Sequence, residues 1–342
     1  MSATIYDVAR KAGVGIGTVS RAINNSPQIT EATKEKVLQA IKELNYQPHP
    51  VAQSLARRKT NTIGCIIPFF TGYFFVELLR GIQRKITHFQ NDLILYSVDT
   101  ANKKETFLGR ALKERRVDGI LLVSLEITDE YAKKFMAKRF PIVLVDSYHP
   151  DLDSIKVDNI EGAYQATTHL IKLGYKRIAM IDGQLKSVPA RLRLEGYKKA
   201  LRENGLSFDD RYFVACDFLD EADGFNKEAG FAAMQRLLEL GAKKPRAVFV
   251  SSDIQAIGAI QAIKEGGYCV PDDIAVVGFD DIELACHVGL TTIKQPTVGM
   301  GELAVDRLMA QIAGEAKPEF KRRLTTRLVI RESCGYHSTQ KG

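Results

Sequence analysis

The 342 residues contain no tryptophan, only five cysteines, and no apolar stretch approaching the roughly eighteen residues that a membrane crossing requires. Cys65, Cys216, Cys269, Cys286 and Cys334 are scattered and never spaced as CxxC. That excludes a disulfide framework and a zinc ribbon and predicts buried free thiols. The start, MSATIYDVARK, lacks the apolar core of a signal peptide, so a cytoplasmic protein is expected, with no membrane partner. His49, His88, His149, His169, His287 and His337 form neither HExxH nor any paired metal spacing. No GxSxG elbow or Walker loop occurs. No catalytic or metal-binding residue is therefore nominated, no cofactor is expected, and enzyme classes are disfavoured.

What remains is ordinary globular material, 45% hydrophobic and 26% charged, long enough for two or three domains. Its charge is unevenly placed. Residues 1–60 hold nine Lys/Arg against four acids, so this short segment carries +5 of the net +7. Concentrated positive charge is the footprint of a phosphate-backbone binder, although a solvated basic helix face gives the same count.

Within that basic segment, Thr4 followed three residues later by Asp7 opens an amphipathic helix carrying Ile5, Val8, Ala9 and Ala12. Gly13 closes it, because glycine accepts left-handed geometry. A second short helical pattern runs from Thr18 to Ile23, with Val19 and Ile23 facing inward. Two short helices joined by a glycine-containing turn make a helix-turn-helix pattern, which needs a third helix to cover it. Thr30 as N-cap and the stripe Val37, Leu38, Ala40, Ile41 and Leu44 supply that helix. The second helix of such a unit lays its N-terminal residues in the major groove, which nominates Ile16, Gly17, Thr18, Ser20, Arg21 and Asn24. Thr4 and Tyr6 join them as DNA-binding candidates. Arg21 leads for base readout, since guanidinium pairs bidentately with guanine. The triple Gly13, Gly15, Gly17 is not a dinucleotide site, because a charged helix precedes it where a buried strand is needed.

After Tyr46, Pro48 and Pro50 interrupt the helix, and VAQSLARR (51–58) is too short to be helical alone. From Thr62 onward, apolar runs alternate with amphipathic patterns such as those at 74–89 and 160–174. The runs are IGCIIP (63–68), LILYSVD (93–99), GILLVS (119–124), PIVLVD (141–146), RIAMID (177–182), AVFVSSD (247–253) and DIAVVGFDD (273–281). Runs buried on both faces and alternating with helices imply parallel, doubly wound α/β sheets. TTIKQP (291–296) and LTTRLVIRES (324–333) are late strands.

The stretch YDVARKAGVGIGTVSRAINN…ITEATKEKVLQAIKELNYQP resembles the DNA-binding headpiece of the LacI/GalR family of bacterial transcription regulators, without gaps through Leu55 and more weakly through most of the chain. The resemblance implies an α/β protein with a helix-turn-helix domain (1–47) and a hinge helix or linker (48–61). A two-lobed periplasmic-binding-protein-like core (62–333) and a polar tail (334–342) would follow. Lobe one would hold about 62–160 plus 293–321, and lobe two about 161–292 plus 322–333. Leu55 stands where the family has its minor-groove wedge. In the core, SVPARLRLEGY (187–197) places Arg193, and the VVGFDD turn places Asp280, at effector-binding positions of the family. Phe74, Phe75 and Phe218 match positions that wall the effector cleft, and Ser252 stands where many members have asparagine. Asp281 reads as a turn residue.

The implied protein is a homodimeric repressor that binds a pseudo-palindromic double-stranded DNA operator and a small effector, a carbohydrate for preference. The tail CGYHSTQKG lacks leucine heptads, which favours a dimer over a tetramer. Purine-responsive and phosphocarrier-dependent regulators of the same family stay open, and a sugar-binding transport protein is the alternative from another class. Several departures bear on specificity. Gly15 replaces the usual serine cap, Ile16 and Gly17 occupy operator-reading positions, TGYFF replaces a frequent Asn-Pro, and an acidic insertion follows Phe218.

Overall fold

The computed structural model describes residues 3–24, 26–46, 59–68, 72–98, 101–114, 116–217, 221–317 and 320–336. The chain forms two compact units, Met1–Thr62 with Arg115–Asp118, and Ile63–Glu114 with Gly119–Gly342. The expected hinge helix with Leu55, and Phe218 in the core, lie outside the described residues.

The first unit holds α1 (Ile5–Ala12), α2 (Ile16–Ile23) and α3 (Glu31–Glu43). Thr4 and Asp7 form a reciprocal capping box: the Asp7 N–H donates to the Thr4 hydroxyl and the Thr4 N–H to the Asp7 carboxylate. The Thr4 hydroxyl and the Thr4 N–H, both donating to the Asp7 carboxylate, hold that carboxyl below its usual range. Gly13 ends α1 at φ 67°, a conformation that costs any L side chain. Val8, Ala9, Val19, Ala22, Val37 and Ala40 form a small shared core. Two expectations need correction. Leu38 is 45% exposed, because α3 turns that position away from α1 and α2. Thr30 does sit at the N-cap of α3, but its hydroxyl pairs with Thr33 instead of a helix N–H.

Among the described residues, the second unit contains two sheets of six strands each. The first has the order β11-β5-β4-β3-β1-β2, from β1 (Thr62–Ile67), β2 (Asp92–Ser97), β3 (Gly119–Val123), β4 (Ile142–Val145), β5 (Asp153–Val157) and β11 (Lys321–Leu324). The second has the order β12-β10-β9-β8-β6-β7. It is built from β6 (Ile178–Asp182), β7 (Phe213–Ala215), β8 (Ala247–Val250), β9 (Ala275–Asp280), β10 (Thr291–Lys294) and the antiparallel β12 (Arg327–Val329). Strands β1, β3, β4, β6 and β8 are buried along almost their whole length, the mark of sheets covered on both faces.

The helices in chain order are α4 (Tyr73–Phe89), α5 (Ala101–Glu114), α6 (Asp129–Ala137), α7 (Asn159–Lys172), α8 (Val188–Glu203), α9 (Lys227–Leu238), α10 (Asp253–Glu265), α11 (Glu283–His287) and α12 (Thr297–Ala313). Helices α4 and α12 share a core with the first sheet, built on Leu78, Ile82, Met300 and Ala304. The second sheet is covered by α7 and α8 on one face and by α9 and α10 on the other. The chain crosses between lobes three times. The second and third crossings fall after β10 and after β11, slightly later than the expected boundaries. The 293–294 end of the strand therefore belongs to the second lobe, paired with β9, and Arg322–Leu324 to the first, paired with β5. The expected strand 324–333 is two pieces belonging to different sheets. Cys65, Cys216 and Cys334 are buried as expected, whereas Cys269 and Cys286 are exposed.

Candidate functional site

The carboxyl ends of β1, β3, β4, β8 and β9 converge on a cleft between the two lobes, where open parallel sheets bind ligands. The cleft holds about 670 Å³ of empty space, part of it open to solvent. Phe74, Phe75, Ser124 and Asp146 face it from the first lobe, and Arg193, Phe225, Ser252, Ile254 and Asp280 from the second.

Arg193 is its central cation. The apolar residues of α8 fix that helix against α7, which leaves Arg193 only 5% exposed. Its Nε donates to Asn159 Oδ1 at 2.8 Å and its Nη1 to the Ser251 carbonyl at 2.5 Å. Its guanidinium lies 3.9 Å from the centroid of Phe279 and 5.8 Å from that of Phe225. The remaining Nη2 is 3.9 Å from Asp280 Oδ1, a Coulombic neighbour short of a hydrogen bond. Asp280 sits at φ 126°, a strained conformation for a non-glycine residue, and accepts from Gln295 Nε2 at 2.5 Å. Asp253, buried at the start of α10, holds the loop beyond it by accepting from the Ile282 N–H.

Across the cleft, Asp146 ends β4 in left-handed geometry (φ 51°) and accepts from the Ser124 hydroxyl at 3.0 Å. Burial pushes the carboxyls of Asp146 and Asp280 up to about 6 each, with Arg193 opposing the rise at both. Asn159, at the first crossing, serves Arg193 and also hydrogen-bonds Asp146. One buried cation, two carboxylates of raised pKa and aromatic walls can grip a neutral polyol. Its hydroxyls would donate to the acids and accept from the guanidinium, while its apolar face packs on phenyl rings.

Of the expected effector residues, Phe74, Phe75, Arg193, Ser252 and Asp280 come together here. Phe75 is largely committed to the core beneath, meeting Phe74 edge-on at 5.2 Å. The aromatic described at the insertion is Phe225, whose ring packs where a Cβ on Gly183 would lie, 2.4 Å from it. Asp281 is a turn residue at φ 61°, ion-paired to Lys294 and Arg331. Asp146, Ser124, Asn159 and Phe225 were not anticipated. Asp146 closes the apolar run PIVLVD as Asp280 closes its own, so the rule that found one could have found the other.

In the first unit, Gly15 at the N-cap of α2 and Ile16, Gly17 and Arg21 on that helix are exposed, and Thr18 and Ser20 are half-buried. Arg21 Nη2 donates to Thr18 Oγ1 at 3.3 Å, which lays the guanidinium back along the N-terminal turn of the helix. Tyr6 is 64% exposed. Thr4 is occupied by its cap. Among the described residues, no group of three His, Cys, Asp or Glu is placed to hold a metal. No described helix is long and apolar enough to cross a membrane.

A helical DNA-reading unit joined to a two-lobed ligand core defines a class, and sequence comparison agrees. Residues 4–49 match bacterial regulatory proteins of the lacI family, and residues 167–334 match a periplasmic binding protein-like domain. The chain belongs to the lacI family of DNA-binding transcriptional regulators. It is 40% identical over 338 residues to the ribose operon repressor of Escherichia coli strain K12, covering 97% of this chain and 100% of that one. Among solved structures, the lac repressor dimer bound to operator and the anti-inducer ONPF superimposes with a TM-score of 0.83 at 31% identity, covering 98% of this chain and 99% of that one. The complex of the regulator CelR with cellobiose gives 0.71 at 33%, covering 97% and 99%. Members of this family are DNA-binding regulators, not enzymes.

Proposed function

We propose that this protein is a homodimeric, cytoplasmic repressor whose hold on a pseudo-palindromic operator is set by a sugar bound between the core lobes. It is a regulator without catalytic activity, metal or cofactor. The observation that carries the ligand reading is Arg193 held between Asp146 and Asp280 under aromatic walls, a set of groups suited to an uncharged polyhydroxylated ring. Kinship with a ribose operon repressor makes D-ribose the first sugar to try.

In this reading residues 1–47 bind DNA, 48–61 form the hinge, 62–333 bind effector and dimerise, and 334–342 are a polar tail. Ile16, Gly17, Thr18, Ser20, Arg21 and Asn24 read or flank the major groove, with Tyr6 and the capped Thr4 beside the phosphates. Leu55 serves the minor groove. Phe74, Phe75, Arg193, Ser252 and Asp280, with Asp146 and Phe225 added, bind effector. Val76 on α4 and Ile94 on edge strand β2 are exposed apolar residues of the first lobe and supply a dimer face. Effector works by binding one arrangement of the lobes better than the other. The test is calorimetric titration of the full chain with D-ribose, other pentoses and hexoses, cellobiose, and purine bases. Saturable binding of a sugar is expected. Binding of a purine alone would replace the proposal.

A further inference from the structure

Gln255 stands in the first turn of α10 with its side chain wholly buried, outside the row of residues that line the cleft. A buried amide that served only the core would be satisfied by its immediate surroundings. This one ties together segments far apart in the chain, and two of them carry cleft residues. Its Nε2 donates to the carbonyl of Gly224 at 2.8 Å and to that of Asp182 at 3.2 Å. Carbonyl oxygens only accept, so the nitrogen must lie on that side and Oε1 must face the other way. On that other side are the hydroxyls of Ser251 and Ser252, at 3.2 and 3.0 Å.

Two consequences follow. The Ser252 hydroxyl spends its proton on Gln255 and also accepts from the Gln255 backbone N–H at 3.4 Å. Toward the cleft it therefore offers a lone pair, and a ligand hydroxyl must donate to it. In the same lobe, Asp223 lies at φ 52° and Gly224 at 78°, a corner steadied by external pins. Those pins are Gln255 on the Gly224 carbonyl and the Gln184 N–H on the Asp223 carbonyl. The next residue is Phe225, which walls the cleft beside Arg193.

We infer that Gln255 is a positioning residue for effector binding, fixing Ser252 as an acceptor in one wall and Phe225 in another through a single buried amide. The inference rests on the cleft being the effector site. An apolar residue of the same length takes the donor from the Gly224 carbonyl and the acceptor from the Ser252 hydroxyl, whereas the Asp182 carbonyl keeps the Cys216 N–H and the Ser251 hydroxyl keeps the Asp182 carboxylate.

The absence of tryptophan from the sequence gives a clean readout, because Phe225→Trp introduces the sole indole. Full-length protein is compared as native, Gln255→Met, Phe225→Trp, and Phe225→Trp with Gln255→Met, each checked for cooperative unfolding by circular dichroism. Gln255→Met is expected to weaken calorimetric D-ribose binding by about tenfold or more, the loss of one or two buried hydrogen bonds. In the Phe225→Trp background it is expected to shift indole emission to the red and raise its quenching by acrylamide. D-ribose affinity within twofold of native, or emission and quenching unchanged by Gln255→Met, overturns the inference. If the native protein binds no D-ribose, the sugar reading fails for that ligand, and the two indole proteins still decide whether Gln255 holds the wall. Should Gln255→Met not fold, Gln255→Asn, one methylene too short to reach both sides, carries the same readouts.

Discussion

Replacing Arg193 by methionine removes the cation while keeping most of the apolar stem that packs in the core. The Asn159 carbonyl oxygen and the Ser251 carbonyl lose their donor, and Asp280 and Asp146 lose the charge that opposes their burial. Removing one partner of a buried ionic cluster costs about 3–5 kcal/mol. The carboxyls limit that cost by taking up protons, since both already titrate near 6. At pH 7.5 protonating such a group costs about 2 kcal/mol, at 1.36 kcal/mol per unit, and at pH 6 almost nothing.

The sign follows from linkage. A carboxyl raised in the folded state contributes stability that is complete at low pH and is lost as pH rises through its folded pKa. Without Arg193 both pKa values climb further, so the variant loses more stability than the native chain between pH 6 and 8. Urea unfolding followed by far-ultraviolet circular dichroism should show a deficit of about 3–5 kcal/mol at pH 7.5, shrinking by about 2 kcal/mol at pH 6. A deficit under about 1 kcal/mol, or one independent of pH, would refute the assignment of Arg193 as counter-ion to both acids.

Other outcomes follow from the same geometry. Arg21→Ala should abolish discrimination between operator and random DNA in a competition gel shift while leaving weak, salt-sensitive binding; retained discrimination would show that Arg21 does not read bases. Gly183→Ala places a methyl within the Phe225 ring, so D-ribose binding should weaken several-fold in calorimetry with the operator gel shift of the unliganded protein as the folding control. The Asp7 carboxyl is held low by Thr4, so its support of α1 is present above the ordinary carboxylate range and is lost as pH falls through that lowered pKa. Hydrogen-exchange protection factors of α1, corrected for the intrinsic rate, should therefore fall at acid pH, and less so in Asp7→Asn, which does not titrate.

Most of the core was legible because parallel strands covered on both faces must be apolar throughout, as GILLV and IVLV are. Strands without that need left no such mark. β5 reads DSIKV, β11 is KRRL on a charged edge, and β7 has three half-buried residues. Hence the lobe boundaries were misplaced where β11 returns to the first sheet. Arg193 and Asp280 could be found because local motifs surround them. Phe225 could not, because an insertion set its distance from Phe218, and only the fold brings it over Gly183. Gln255 was equally hidden: its partners lie as far as 73 residues away in the chain, and no periodicity records such a bond. Leu38 shows the converse error, an apolar residue counted into a helical stripe that the packing angle leaves in solvent.

The central claim is that a sugar in the cleft controls the DNA-binding unit. It is tested most directly by fluorescence anisotropy of a labelled operator titrated with the full chain, with and without saturating D-ribose. The operator would be chosen beforehand by selecting bound sequences from a random pool. The account predicts that the apparent Kd shifts by about fivefold or more, the range of ordinary allosteric coupling, and that Asp280→Asn removes the shift. Identical binding curves under saturation by a sugar that calorimetry shows to be bound would contradict it.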